Sequence, residues 1–190
     1  QMASQNNLPK LVVILGPTAS GKTALSLKLA LRLGSVSLTT SRSGQAKKIE
    51  CEIISADSRA IYKGLDIGSA KPSKKEQSSI AHHLIDIVSP NQTLTLAQYK
   101  KLALAKIYDI TSNKKLPFLV GGTALYIYSI IDNWLVPEVP PNKKLRAKLE
   151  KVGVEKLWEE LIKKDPQAKE FVDPKNKRRI IRALEIITAT

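Results

Sequence analysis

Leu11-Val12-Val13-Ile14-Leu15-Gly16-Pro17-Thr18-Ala19-Ser20-Gly21-Lys22-Thr23 decides the fold. Five apolar residues closed by glycine read as a strand buried on both faces, as in parallel sheets. The next eight residues match G-x-x-x-x-G-K-[ST] at every fixed position. Glycines at both ends let the backbone curl, so several N–H groups converge on phosphate oxygens. From Ala24 to Leu33, the leucines 25, 29 and 33 recur at helical spacing, and Gly34 offers a stop. That helix brings its positive N-terminus to the same point. Lys22 supplies a mobile charge for a terminal phosphate, and the Thr23 hydroxyl is placed to hold Mg²⁺. Gly16, Pro17, Thr18, Ala19, Ser20, Gly21, Lys22 and Thr23 therefore form the expected diphosphate or nucleotide site. The loop alone does not choose between a kinase using ATP and a transferase holding a diphosphate leaving group.

Outward from this unit, strands and helices alternate. Glu52 to Ser55 reads as a second strand and His83 to Val88 as a short third, ended by Pro90. A helix over Thr95–Thr111 carries an apolar face through Leu96, Tyr99, Leu102, Ala103 and Ile107. Leu116 to Val120 is a further strand, and Ala124–Asn133 a further helix. This order predicts an α/β fold with a parallel sheet flanked by helices. After Pro137 the pattern becomes helical and charged, over about 142–151, 154–164 and 175–189, with no returning strand. The expected organisation is a disordered tail at 1–8 and a P-loop α/β core at 9–137. The core holds a loop insertion at 34–50, with a short hairpin around Val36 to Thr40. A helical segment at 138–174 and a helix at 175–190 returning to the core complete it.

Composition narrows the partners. The chain has 190 residues, 43% of them hydrophobic, enough for a packed core rather than a disordered coil. Its net charge of +14 points to an anionic partner, with nucleic acid or polyphosphate first. Of the stretches 1–50, 51–137 and 138–190, the middle one, where the chemistry falls, is the least basic. One cysteine, Cys51, excludes an internal disulfide, fits a reducing compartment and reads as a small buried residue. No apolar run reaches membrane-spanning length. A metal site on His82-His83 lacks partners, with a single distant Cys and no second His pair.

Ile53-Ile54-Ser55-Ala56-Asp57-Ser58 delivers a carboxylate at the end of a buried strand, where ligands of open α/β sheets bind. Either a turn cap or a reacting carboxylate satisfies that position. Here the chain resembles the tRNA dimethylallyltransferases. The resemblance is carried by the phosphate loop, Ser55-Ala56-Asp57-Ser58, Tyr62-Lys63-Gly64-Leu65-Asp66-Ile67-Gly68 and Ala70-Lys71-Pro72. It continues through His82-His83-Leu84-Ile85-Asp86, Gly121-Gly122-Thr123 with Leu125-Tyr126, and Arg182-Ala183-Leu184-Glu185. Seven motifs in family order span nearly the whole chain.

The resemblance implies a P-loop NTPase-like fold and a reaction. A dimethylallyl group would pass from dimethylallyl diphosphate to N6 of the adenosine 3′ of the tRNA anticodon, releasing diphosphate. It assigns catalytic roles to Asp57, as general base, and Thr123. It places the diphosphate with Mg²⁺ on the phosphate loop, and tRNA on Asp57, Ser58, Arg59, Ala60, Thr123, Arg178, Arg179, Ile180, Ile181 and Arg182. The helices of 142–164 resemble the family's inserted subdomain, which grips the anticodon stem. A cytoplasmic monomer is expected. Arg178 and Arg182 share a helix face at i, i+4 spacing, suited to phosphates.

The chain departs from the family pattern in places. Ala60 stands where Gln is usual, Ser69 where Thr is, and Ala124 where Gly is; the 34–50 stretch is longer than in relatives. The sequence ends at Thr190, before further family elements, and so reads as a fragment or short member. Three rival readings share the same loop: a prenyltransferase of free adenine nucleotides, a small-molecule P-loop kinase, and an inactive RNA-binding fragment.

Overall fold

The protein is described by a computed structural model over residues 10–35, 48–69 and 71–190. The expected tail and most of the 34–50 insertion, including its hairpin, lie outside the described residues. Packing divides the chain into two units, one ending at Val136 and one spanning Pro137–Thr190.

In the first unit, β1 (Val12–Leu15), β2 (Cys51–Ser55), β3 (His82–His83) and β4 (Leu116–Gly121) form one parallel sheet. Its order is β1-β4-β2-β3. The connections carry helices, as parallel pairing requires: α1 (Lys22–Ser35), α2 (Lys74–Ser79) and α3 (Leu96–Ser112), and α4 (Ala124–Ile131) follows β4. Successive strand residues point to opposite faces, so two cores result. Ile54 and Leu119 pack with Tyr99, Ala103, Ile107 and Ile110 of α3 and Ile127 and Ile130 of α4. Ile53, Phe118 and Val120 pack with Leu27 and Ala30 of α1 and with Ile80. Thr95 opens α3 with a reciprocal capping box to Gln98, and Ser73 opens α2 with one to Glu76.

Several local expectations change. The first strand lies at an edge of this sheet, with Val13 and Leu15 exposed, because β4 and not β2 is its neighbour. The buried stripe of α1 is Ser26, Leu27 and Ala30, while Leu25 and Leu29 face outward. Leu102 of α3 is exposed, and Ile110 takes its place in the core. The third strand stops after two residues: Leu84 and Asp86 adopt positive φ of 60° and 55°, which breaks the extended run. Cys51 is only partly buried.

The second unit is helical among its described residues. It comprises α5 (Lys143–Leu149), α6 (Val154–Lys164), a short 3₁₀ turn at Pro166–Glu170 and α7 (Lys177–Ala189). Leu149, Leu157, Leu161, Ala168, Val172, Ile180, Ile181 and Leu184 make its core. The last helix, α7, packs with α5 and α6. Asn142 and Asn176 cap their helices through side-chain oxygens.

Candidate active site

The phosphate loop takes its shape from two residues in left-handed conformation, Ala19 at φ 64° and Gly21 at φ 79°. Glycine adopts this freely, whereas alanine does so at some cost, a strain common at ligand-binding loops. Lys22 folds back over the loop, its Nζ donating to the Pro17 carbonyl and lying 3.5 Å from Ser20 Oγ. It thus rests on the side of the loop that a phosphate would occupy. The Thr23 side chain sits in the first turn of α1, whose N-terminus points into the same space.

Across from it, Asp57 follows β2. One carboxylate oxygen, Oδ1, accepts from the backbone N–H of Arg59 at 2.8 Å and of Ala60 at 3.3 Å. The residue is therefore a turn cap, and no hydrogen bond among the described residues engages Oδ2. Both sequence-level roles are compatible: one oxygen anchors the carboxylate, leaving the other for chemistry. The Thr123 hydroxyl accepts from Ser58 N–H at 2.9 Å and reaches Ser58 Oγ at 3.2 Å, so it does not cap α4. Thr123 N–H donates to Ala56 O at 3.1 Å, and buried Tyr99 donates its hydroxyl to Ser55 O at 2.9 Å. Burial pushes the Tyr99 phenol well above its ordinary pKa, so it remains a donor. These bonds fix the strand end that carries Asp57.

Between the two stands β4. A Cβ on Gly121 would meet the Ala56 carbonyl oxygen at 2.0 Å, so only glycine permits this approach of β4 to β2. The Gly121-Gly122 pair leaves space between the loop after β1 and the carboxylate after β2. A cleft of about 360 Å³ results, lined by Thr18–Ala24, Asp57 and Gly121, with Ile53, Ala60, Pro72, Ile85 and Val120 as apolar walls. Glu76 and His82 also line it.

The sequence reading gave Glu76 and His82 no part in this cleft, nor Lys71, which precedes the lining residue Pro72. The motifs that hold Lys71 and His82 were quoted from the sequence, but which segments converge depends on sheet order. Lys71 Nζ, 5% exposed, donates to Tyr62 O at 2.6 Å, Asp86 Oδ1 at 2.6 Å and Asp66 Oδ1 at 2.9 Å. Burial works against its charge, yet the two carboxylates outweigh it and hold its pKa above the ordinary value. His82 Nδ1 lies 2.7 Å from Ile80 O, which makes that nitrogen the donor, and its Nε2 is buried without a hydrogen-bond partner among the described residues. Burial lowers its pKa, favouring the neutral ring.

The structure brings Thr18, Ala19, Ser20, Gly21, Lys22 and Thr23 of the phosphate loop to one cleft with Asp57 and Ala60, while Gly16 and Pro17 do not line it. Ser58 is tied to Thr123 by hydrogen bonds. Residues 178–182 belong to the other unit. There Arg178 and Arg179 are exposed, while Ile180 and Ile181 are 0% and 3% exposed and form core. Arg182 is engaged: it donates to Glu185 Oε2 at 2.5 Å and to Val139 O at 3.0 Å. Arg146 holds the same carboxylate through Nε at 2.9 Å and a terminal nitrogen at 2.7 Å.

A parallel sheet whose first strand feeds a phosphate loop and helix, with a carboxylate across the crevice, defines a P-loop NTPase-like protein. Residues 60–190 match the family described as IPP transferase, and the chain belongs to that family. It is 44% identical over 184 residues to the tRNA dimethylallyltransferase of Roseiflexus sp. (strain RS-1), covering 95% of this chain and 55% of the relative. With the tRNA dimethylallyltransferase of Herpetosiphon aurantiacus it shares 43% over 186 residues, 96% of this chain and 54% of that one. Among solved structures it resembles the full-length tRNA isopentenylpyrophosphate transferase of Bacillus halodurans. That likeness has 40% identity and a TM-score of 0.59 over 96% of this chain and 56% of the other. A eukaryotic dimethylallyltransferase acting on tRNA superposes with a TM-score of 0.73 at 27% identity, over 95% and 42% of the two chains. The chain thus spans about half the length of the relatives it matches. Among the described residues no helix is long and apolar enough to cross a membrane.

Proposed function

We propose that the chain supplies the donor site and general base for moving a dimethylallyl group from its diphosphate to N6 of an adenosine in tRNA. The base acted on would be the one 3′ of the anticodon. The observation that carries this reading is a single cleft holding a phosphate loop, a carboxylate and apolar walls. A phosphoryl-transfer site needs the first two elements, whereas an allylic diphosphate also needs a dry wall for its hydrocarbon. The names of the relatives support the same chemistry.

In this reaction the N6–C1 bond forms as the C1–O bond breaks, and diphosphate leaves with the electron pair. Loop N–H groups, the N-terminus of α1 and Lys22 bind the diphosphate and stabilise the charge it gathers. Asp57 Oδ2 takes the proton lost from the amine, a positioned-base effect of about 10²–10⁴ in rate. The walls at Ala60, Pro72 and Ile85 exclude water that would otherwise hydrolyse the donor. Mg²⁺ fits the oxygen donors present: the Thr23 hydroxyl would hold it beside the diphosphate, with Asp57 in the same cleft. Bound there, it would neutralise charge on the leaving group. Of residues 178–182, Arg178 and Arg179 are the exposed ones, placed to meet RNA phosphates.

The test offers labelled dimethylallyl diphosphate, with Mg²⁺, to unmodified tRNA and to AMP, ADP and ATP. Label in tRNA is the expected result. Label in free nucleotide, or phosphoryl transfer from ATP without prenyl transfer, would overturn it. Pyrophosphate and tRNA binding without any label would identify a binding segment that lacks the activity.

A further inference from the structure

We propose that Lys71 is a positioning residue that sets prenyl-chain selectivity, an inference that rests on the donor reading above. The aliphatic walls of the cleft come from separate segments: Ala60 from the turn after β2, Pro72 from the approach to α2, and Ile85 from the turn after β3. Lys71 is bonded to each of these segments. It precedes Pro72 in the chain. Its ammonium donates to Asp86, the neighbour of Ile85, at 2.6 Å, and to the Tyr62 carbonyl of the Ala60 turn at 2.6 Å. Asp86 closes the triangle, its N–H donating to Ala60 O at 3.1 Å.

An ammonium has three protons, and with Asp66 as third acceptor at 2.9 Å all three are used. A saturated, almost fully buried lysine has a defined position, unlike the surface lysines that swing freely. The turn it holds is itself constrained, since Leu84 and Asp86 have positive φ. Because the contacts lie one residue from Pro72 and Ile85, loss of the ammonium frees both walls without touching the phosphate loop. The arms differ in weight: Asp86 is the more sheltered, whereas Asp66 is 70% exposed and contributes little.

The experiment measures binding of inorganic pyrophosphate and of non-reactive dimethylallyl and geranyl thiolodiphosphates to the full chain by calorimetry. Variants are Lys71→Met, Asp86→Asn and Asp66→Ala. We expect the parent to prefer the five-carbon analogue. Lys71→Met should weaken that analogue about tenfold and narrow its advantage over geranyl, the scale on which methylenes are discriminated in apolar pockets. Pyrophosphate affinity should stay within about twofold, since uniform loss would mean general disruption. Asp66→Ala should behave as the parent. Should Lys71→Met fail to fold, Asp86→Asn, which keeps size but removes the negative charge that holds the ammonium, is expected to show the same narrowing. A parent and variants with equal chain-length preference would overturn the assignment alone. A parent that binds pyrophosphate but gains nothing from either hydrocarbon tail would overturn the donor reading and this assignment with it.

Discussion

Glu185→Gln should destabilise the helical unit and leave donor chemistry intact. The carboxylate, 1% exposed, accepts from Asn142 N–H at 2.5 Å and from the guanidinium groups of Arg146 and Arg182. The Arg146 hydrogen bond leads the causes, outweighing burial, and with Arg182 and Asn142 holds the pKa at about 2 against an ordinary 4.5. At about 1.36 kcal/mol per pH unit, that depression corresponds to roughly 3 kcal/mol. The arginine side chains are 41% and 35% exposed, so water screens the pair. About 2 kcal/mol is the expected loss. Because the folded pKa is depressed, the contribution is complete above about pH 5 and fades as pH falls toward 2. Trp158, packed against the helical core, reports on this unit, and Trp134→Phe removes the other tryptophan. Urea unfolding followed at pH 7 should show the parent ahead of the variant by about 2 kcal/mol, and by less than half that at pH 3. Equal stability at pH 7, or a gap independent of pH, would refute the idea that this carboxylate is an ionised anchor.

Other changes probe the remaining groups. Asp57→Ala should lower kcat about 10²–10⁴-fold with pyrophosphate affinity unchanged; a kcat within a few-fold of the parent would remove its role as base. Lys22→Ala should weaken calorimetric binding of a non-reactive donor analogue, since its ammonium meets diphosphate in ground and transition states alike. Arg178→Ala with Arg179→Ala should flatten the slope of log K against log salt for tRNA by about 1.4 to 1.8, and an unchanged slope would identify a merely solvated face. Arg182→Ala should instead lower the unfolding midpoint, because its guanidinium is already committed to Glu185 and Val139.

Legibility followed chemistry more than geometry. The phosphate loop could be read directly because its function demands glycine, lysine and a hydroxyl at fixed offsets. The helix beginning at Thr95 and the strand of β4 were legible for a similar reason: local apolar periodicity and local apolarity determine them. Long-range order was not. An apolar run such as Leu11–Leu15 looks the same at a sheet's centre or edge, and only pairing reveals that β4 separates β1 from β2.

Glu185 shows why charged motifs mislead in a different way. Arg178, Arg179 and Arg182 are equivalent in composition and helical spacing, and a basic cluster on a helix reads as one surface. The i, i+3 offset from Arg182 to Glu185 was visible, but surface pairs of that kind contribute little. Burial changes the outcome here. Ile181 and Leu184 draw that face of α7 toward the core, and the carboxylate is desolvated with it. A desolvated charge must find partners, so Arg182 is taken from solvent while Arg178 and Arg179 are not. The division of one basic cluster into an anchor and a candidate RNA contact therefore rests on the apolar stripe beneath it, and Arg182→Ala against the Arg178/Arg179 pair separates the two roles in one protein.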